Sequence, residues 1–369
     1  MNNNHTFEVC IIGGGVIGLS IAYYLAREGV KAAVFEKDVT ASKASSAAAG
    51  MLGAHSELSG SPQYREFALS SQAEYTSLAE ELYELTGIDI ELVNKGMLKL
   101  AASEKELHDL KRQVLLHNSL SLLSAQETSE MEPYLSKETL GGLYIPGDGH
   151  VEPQKLAAAF KRAAVSMGTE IFEHTSVLSI DEQKNRLVTD RGSFSFRKLV
   201  IAGGVWSGLF TQKLGISETF YPVKGECFSV MPPAKVLTKT IFYDECYLVP
   251  KRDGRIVVGA TMVPNDWNTD VSAGGISFLA EKLKAVFPEL AACPIRTFWA
   301  GLRPQNTRKM PLITEHPENR NLLIAAGHYR NGILLAPGTG QYIRDLILEV
   351  PGRKHAEDFC LKKNVGVQA

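Results

Sequence analysis

A chain of 369 residues, with 39 Lys plus Arg against 41 Asp plus Glu and a formal charge of −2, is long enough for about two domains. No basic tail or stripe stands out, so nucleic acid is not expected as a partner. Five scattered cysteines, Cys10, Cys227, Cys246, Cys293 and Cys360, form no C-x-x-C pair, which reads as reduced cytoplasmic thiols, and no His or Cys cluster has metal-ligand spacing. The first element, "VCIIGGGVIGLSIAYYLA", is an 18-residue uncharged run, Val9 to Ala26. Three consecutive glycines interrupt it and no Lys or Arg precedes it, which disfavours a signal peptide or a membrane span. No membrane partner is expected.

Phe7 to Ile12 reads as a buried strand. Gly13, Gly15 and Gly18 then spell G-x-G-x-x-G, and Ile17, Ile21, Tyr24 and Leu25 recur at helical spacing as far as Gly29. "VKAAVFE" follows as a second strand ending at Glu36, 18 residues after Gly18. In such a βαβ unit Gly13 permits the turn, Gly15 lets the backbone approach a pyrophosphate, and Gly18 lets the helix pack on the sheet. The helix N-terminus faces the phosphates and Glu36 the ribose hydroxyls. The fingerprint specifies an ADP-containing cofactor but does not choose between FAD and NAD.

The small-residue segment after Glu36 can run beside a bulky ligand. One long helix is predicted from Pro62 to Gly87 with Ser61 as its N-cap, then two short strands around "NKG". Capping boxes at Ser103/Glu106 and Ser124/Glu127 predict two further helices, and another runs from Pro153 to Met167. Short strands fill 169–202 and end in "LVIAGGVWSG", a strand into a Gly-Gly turn. From Tyr221 to Arg303 the pattern is mostly β, with a hairpin turning at Arg252-Asp253-Gly254 and a helix around Ile276 to Val286. "NLLIAAGHYRNGILLAPGTGQYIRDLILEV" closes the chain as strand, glycine loop and helix. The fold class is therefore α/β. A discontinuous Rossmann-like cofactor domain (1–60, 145–218 and 300–369) is interleaved with an α+β substrate domain (61–144 and 219–299) containing a largely antiparallel sheet.

The N-terminal fingerprint, "ASSAAAGMLGAH", "HVEP", "LVIAGGVWS", "PVKGE", "CYLVPK…GRIVVGATM", "WAGLRP" and "AAGHYRNGILLAPGTG" occur in consistent order over nearly the whole chain. Together they resemble the glycine oxidase branch of the D-amino-acid oxidase and sarcosine oxidase flavoprotein superfamily. The resemblance implies non-covalent FAD, since the segment after "GLRP" lacks the cysteine that anchors flavin in sarcosine oxidases. It implies oxidation of glycine, sarcosine or small D-amino acids to the imine, with molecular oxygen reduced to hydrogen peroxide. It further implies a role in thiazole (thiamine) biosynthesis and a homotetramer.

On this pattern Arg303 clamps the substrate carboxylate, because a guanidinium makes a bidentate, charge-assisted pair. Tyr247 and Arg330 stand beside it, and Met262 and Met51 wall the substrate site. The cofactor positions carried over are Val16, Ile17, Lys37, Ala44, Ser45, Ala49, Gly50, Met51 and Val177, besides the glycines and Glu36. Ala44 stands where a hydroxyl residue can occur. The loop His328, Tyr329, Arg330, Asn331, Gly332, Ile333 and Leu334 offers backbone N–H groups to the flavin pyrimidine, where negative charge develops on reduction. Alternatives are a D-amino-acid dehydrogenase with another electron acceptor, a non-catalytic nucleotide-binding sensor and an NAD-dependent dehydrogenase.

Overall fold

The structure, a computed structural model, describes residues 5–57, 61–116, 119–351 and 357–361. The expected domain limits at residues 1, 60 and 369 lie outside the described residues. The N-terminal unit forms as its pattern predicts: β1 (His5–Ile12), α1 (Val16–Arg27) and β2 (Ala32–Phe35). β1 pairs in parallel with β2 and with β11 (Gly192–Ile201). Parallel pairing extends to β8 (Glu170–Phe172) beside β2 and to β19 (Leu322–Ala326) beside β11, and β18 (Leu312–Glu315) joins β19 antiparallel. β9 (Val177–Asp181) and β10 (Arg186–Thr189) extend this sheet antiparallel from β11.

Period-two alternation sends Val9 and Ile11 to one core and Cys10 and Ile12 to the other. The first core lies under α1, α7 (Pro153–Ser166) and α10 (Gly332–Ile347), with Ile21, Phe160 and Ile343 fully buried in it. A parallel sheet needs such cover, because its strands are apolar on both faces.

The second sheet runs β16 (Val263–Pro264), β12 (Phe220–Val230), β15 (Ile256–Gly259), β14 (Cys246–Pro250), β13 (Thr240–Tyr243), β4 (Met97–Ala101), β6 (Gly141–Ile145), β5 (Ser121–Ser124). Its other long strand, β17 (Ile295–Asn306), lies antiparallel along β12, and Val223 opposes Arg303. The sheet is antiparallel except where β13 meets β4. α5 (Glu104–Leu116), α6 (Ala125–Met131) and α9 (Ala273–Val286) accompany this sheet. The Ser124 box forms in full, with the Glu127 carboxylate accepting from Ser124 N at 2.8 Å and Ser124 Oγ from Glu127 N at 3.2 Å. At Ser103 the cap forms, Glu106 N donating to Ser103 Oγ at 3.3 Å, but the Glu106 carboxylate accepts from Ala102 N at 2.7 Å rather than from Ser103 N. Of the two strands expected around "NKG", only β4 forms, while Val93 makes an isolated bridge to His150.

Three features differ from the sequence reading. The expected boundary near 300 falls inside β17, which stays in the second sheet to Asn306. The long helix divides at Glu74 into α3 (Pro62–Ala73) and α4 (Tyr75–Thr86). Both halves also pack into the core of the first sheet, through Tyr64, Ala68, Tyr75, Leu78 and Leu82, rather than with the rest of 61–144. Ser61 caps α3 as expected, accepting from Tyr64 N at 3.1 Å.

Their task there is visible in α10, which contains Pro337. Proline has no N–H, so the carbonyl four residues back loses its helical donor. The Tyr75 hydroxyl donates to that carbonyl, Ile333 O. One residue on, Gly338 N donates to Ser71 Oγ at 3.0 Å, and Ser71 Oγ donates to Leu334 O at 2.7 Å. Ser20 Oγ, from α1, donates to Ala336 O at 2.7 Å. Three buried hydroxyls thus repair the ladder and set the direction of the α10 N-terminus. Ser71→Ala is expected to lower unfolding free energy by about 1–2 kcal/mol, read from the urea midpoint at unchanged m-value.

Candidate functional site

A single cleft draws on both sheets and on the start of α10. Gly13 leaves β1 with φ +106°, and a Cβ there would stand 2.4 Å from Ala202 O, so only glycine fits. A Cβ on Gly18 would stand 2.0 Å from Gly13 O, which is the close helix–strand approach expected. Gly15 differs, because its Cβ would meet only Ser45 Oγ, at 3.4 Å. A side chain there would project into the cleft that Gly15 lines.

Glu36 lines the cleft and is held from behind: Oε2 accepts from Gly14 N at 2.8 Å and Oε1 from Asp38 N at 3.0 Å. Ser45, in the short helix α2 (Ala44–Ala47), accepts from Val16 N at 2.9 Å. The hydroxyl missing at Ala44 is therefore present one residue later, where it binds the N-terminus of α1. Lys37 Nζ stands 4.0 Å from the Trp206 ring centroid, a cation–π contact across the cleft wall. Val177 opens β9 and lines the same cleft, as do Ile17 and Ala49 to Met51.

Ala47 is close enough to β17 that a Cβ on Gly301 would lie 2.5 Å from its own, and Trp299 Nε1 donates to Ala47 O at 3.0 Å. The small-residue segment is thus pressed between β17 and the cleft. Buried Lys251 tethers the same segment, donating to Ala49 O at 2.7 Å and Val151 O at 2.8 Å. The sequence reading missed Lys251, Trp206 and Trp299. A charged or aromatic residue in an apolar strand or turn carries no local sign of what it meets across the fold.

The other part of the cleft holds Arg303, Tyr247, Arg330 and Met51. Arg303 Nη1 donates to Thr261 O at 3.1 Å, and a Cβ on Gly225 would lie 2.3 Å from Arg303 Nη2, so that glycine makes room for the guanidinium. Among the described residues, Arg303 pairs with no carboxylate. Tyr247 is buried with its hydroxyl 3.5 Å from Cys227 Sγ, and burial pushes its pKa well up, so the phenol stays a proton donor. Arg330 is less available, because its Nε donates to Glu57 Oε2 at 2.7 Å. Met262 lies at an exposed bend beyond β15, its Sδ 3.7 Å from Arg330 Nη1.

The terminal loop is shorter than expected. Gly332, Ile333 and Leu334 already form the first turn of α10, whose N-terminal N–H groups have no partner within the helix. Gly332 and Ile333 line the cleft; Leu334 turns into the core and Asn331 donates to Tyr64 OH at 3.0 Å. Tyr329 holds φ +51° with its N–H donating to Pro304 O at 2.9 Å, which ties the loop to β17. His328 is buried, its Nε2 3.1 Å from Thr339 Oγ1, and burial lowers its pKa to about 3.

Burial, followed by the nearby Lys251 charge, also lowers the pKa of His150 to about 3. Both imidazoles stay neutral in the folded protein, while in the unfolded chain they protonate near pH ~6.5. The unfolded state therefore binds more protons below that pH. The stability these groups allow is complete above pH ~6.5 and declines as pH falls from there toward 3. His328→Asn is expected to flatten the fall of the thermal midpoint between pH 7 and 4 relative to wild type.

These residues fit FAD: a glycine left open toward the cleft, an acidic side chain at the end of β2, and a second helix N-terminus across the same cavity. The family described as "FAD dependent oxidoreductase" matches residues 8–346. The chain is 46% identical over 344 residues to glycine oxidase of Bacillus subtilis (strain 168), covering 93% of each. The crystal structure of glycine oxidase from Geobacillus kaustophilus superposes with a TM-score of 0.95 at 42% identity, over 98% of this chain and 100% of that one. The bifunctional protein ThiO/ThiG of Synechocystis sp. (strain ATCC 27184 / PCC 6803 / Kazusa) is 36% identical over 93% of this chain, which spans 52% of that longer protein.

Proposed function

The chain belongs to the FAD-dependent oxidoreductase family, and from this site we propose that it oxidises glycine, with sarcosine and small D-amino acids as further substrates. The observation that carries the reading is Arg303, a guanidinium in the cofactor cleft that no carboxylate among the described residues neutralises. A bound amino acid supplies that carboxylate, and two charge-assisted hydrogen bonds orient it. The Tyr247 hydroxyl donates to the same group, and Met51 bounds the space around it. When bound, FAD supplies the hydride acceptor for Cα and passes the electrons to oxygen.

The α10 N-terminus presents N–H groups and a positive dipole end to the negative charge that develops on reduction. No general base is required where the bound amine is already neutral. Gly13, Gly15, Val16, Glu36, Lys37 and Ser45 are proposed to hold the pyrophosphate and ribose, with Val177 toward the adenine. The first sheet with its helices, joined by α3 and α4 and leaving β17 to the second sheet as far as Asn306, is proposed as the cofactor domain.

The ThiO/ThiG relative supports release of the imine into thiazole biosynthesis. No helix among the described residues is long and apolar enough to cross a membrane, and a cytoplasmic homotetramer is proposed. The test is direct: purified yellow protein is mixed anaerobically with glycine, sarcosine or D-alanine, and then with oxygen. Bleaching of the flavin followed by stoichiometric peroxide is expected. No bleaching by any of the three would sink the oxidase reading.

A further inference from the structure

Two arginines line one cleft, yet among the described residues only one of them has a carboxylate partner. Glu57 Oε2 lies 2.7 Å from Arg330 Nε, and the Glu57 side chain is only 6% exposed. Its place is firmly set. Fully buried Asp148 accepts from Ser56 N at 2.9 Å and His55 N at 3.2 Å, and Gln72 Nε2 donates to it at 3.0 Å. Gly53 closes the turn so tightly that a Cβ would lie 2.6 Å from Ser56 Oγ. One carboxylate thus answers the Arg330 cation at the wall of the cleft.

We propose that Glu57 occupies, from the protein's own chain, the place of a second substrate carboxylate, and so restricts the site to amino acids with a single one. The inference rests on Arg303 as the clamp for the first carboxylate. A substrate with a second carboxylate would find Arg330 already compensated and would meet the like charge of Glu57. Specificity built this way comes from repulsion as much as from attraction. Removing the charge while keeping the shape uncovers Arg330, the geometry a planar carboxylate prefers.

The test compares malonate with acetate as ligands of the FAD-loaded protein, read from the flavin absorbance change. It uses wild type, Glu57→Gln and the double variant Glu57→Gln/Arg330→Leu. Glu57→Gln is expected to tighten malonate relative to acetate by about 10-fold, the gain of one charge-assisted contact, and the double variant to lose that gain. D-Aspartate turnover relative to D-alanine should rise in the same single variant. Glu57→Ala, which removes the carboxylate by a different route, must give the same malonate-to-acetate shift. An unchanged malonate-to-acetate ratio in both single variants, whether the two ligands shift equally or not at all, would overturn the proposal. Failure of glycine to bleach the wild-type flavin would instead overturn the functional reading, because the malonate-to-acetate ratio reports on Glu57 without turnover.

Discussion

Arg303→Ala is expected to lower kcat/KM for glycine by roughly 10²–10⁴-fold while leaving the FAD content of the purified protein unchanged. The magnitude follows from two hydrogen bonds to a charged group, about 1.5–3 kcal/mol each, at a factor of ten per ~1.4 kcal/mol. Among the described residues one hydrogen bond ties the guanidinium to the protein, Nη1 to Thr261 O, so removing it leaves the fold nearly intact. The space it leaves is bounded by Gly225, which cannot fill it. Arg303→Lys retains the charge and loses the fork, and should fall between the two. Single-turnover bleaching against glycine concentration separates binding from chemistry, and the loss should lie mainly in binding. A variant that keeps FAD and turns glycine over at near wild-type efficiency would refute the clamp. Arg330 offers a contrast: its removal strands the buried Glu57 carboxylate, so its effect mixes lost contact with an uncompensated charge.

Legibility in the sequence followed the range of each interaction. The βαβ unit, the Ser61 cap and the box at Ser124 depend on residues within a few positions of one another, and all formed, while at Ser103 the cap formed but the Glu106 carboxylate turned to Ala102 N. The division at Glu74 was not legible, because glutamate and tyrosine there are compatible with helix. What decides it lies in α10, where Pro337 calls for hydroxyls from Ser71 and Tyr75 more than 250 residues earlier. Arg303 was legible through the "GLRP" motif. Its lack of a carboxylate partner was not, and neither was the partner of Arg330: Glu57 is 273 residues away, in a loop whose acidic residue looks like any other. The small-residue segment after Glu36 predicts room for a ligand. Its second duty, fitting under β17 at Gly301, depends on β17 running along β12, a register no local pattern specifies.

Gly15→Val and Gly18→Ala should both abolish FAD retention, but by different routes that a thermal melt distinguishes. At Gly18 the added Cβ would lie 2.0 Å from Gly13 O and 3.1 Å from Gly13 C. That backbone cannot retreat, because Gly13 N donates to Phe35 O at 2.9 Å and Gly14 N to Glu36 at 2.8 Å, pinning the turn to β2. Strain therefore passes into the packing of α1 on the sheet, where Ile21 and Leu25 are fully buried, and overpacking of this kind costs about 1–3 kcal/mol or more. The apoprotein midpoint should fall with the cofactor content. At Gly15 the space beyond Cβ is the cleft itself, with Ser45 Oγ at 3.4 Å as the one neighbour a Cβ would meet. Gly15→Val should leave the apoprotein midpoint within about 0.5 kcal/mol of the wild-type apoprotein's stability, as open positions do. It should nonetheless purify colourless, because its methyl groups stand where the pyrophosphate must approach the backbone. A yellow Gly15→Val protein with normal FAD content would mean that the phosphates do not pass over this glycine, and the cradle would have to be sought elsewhere along α1.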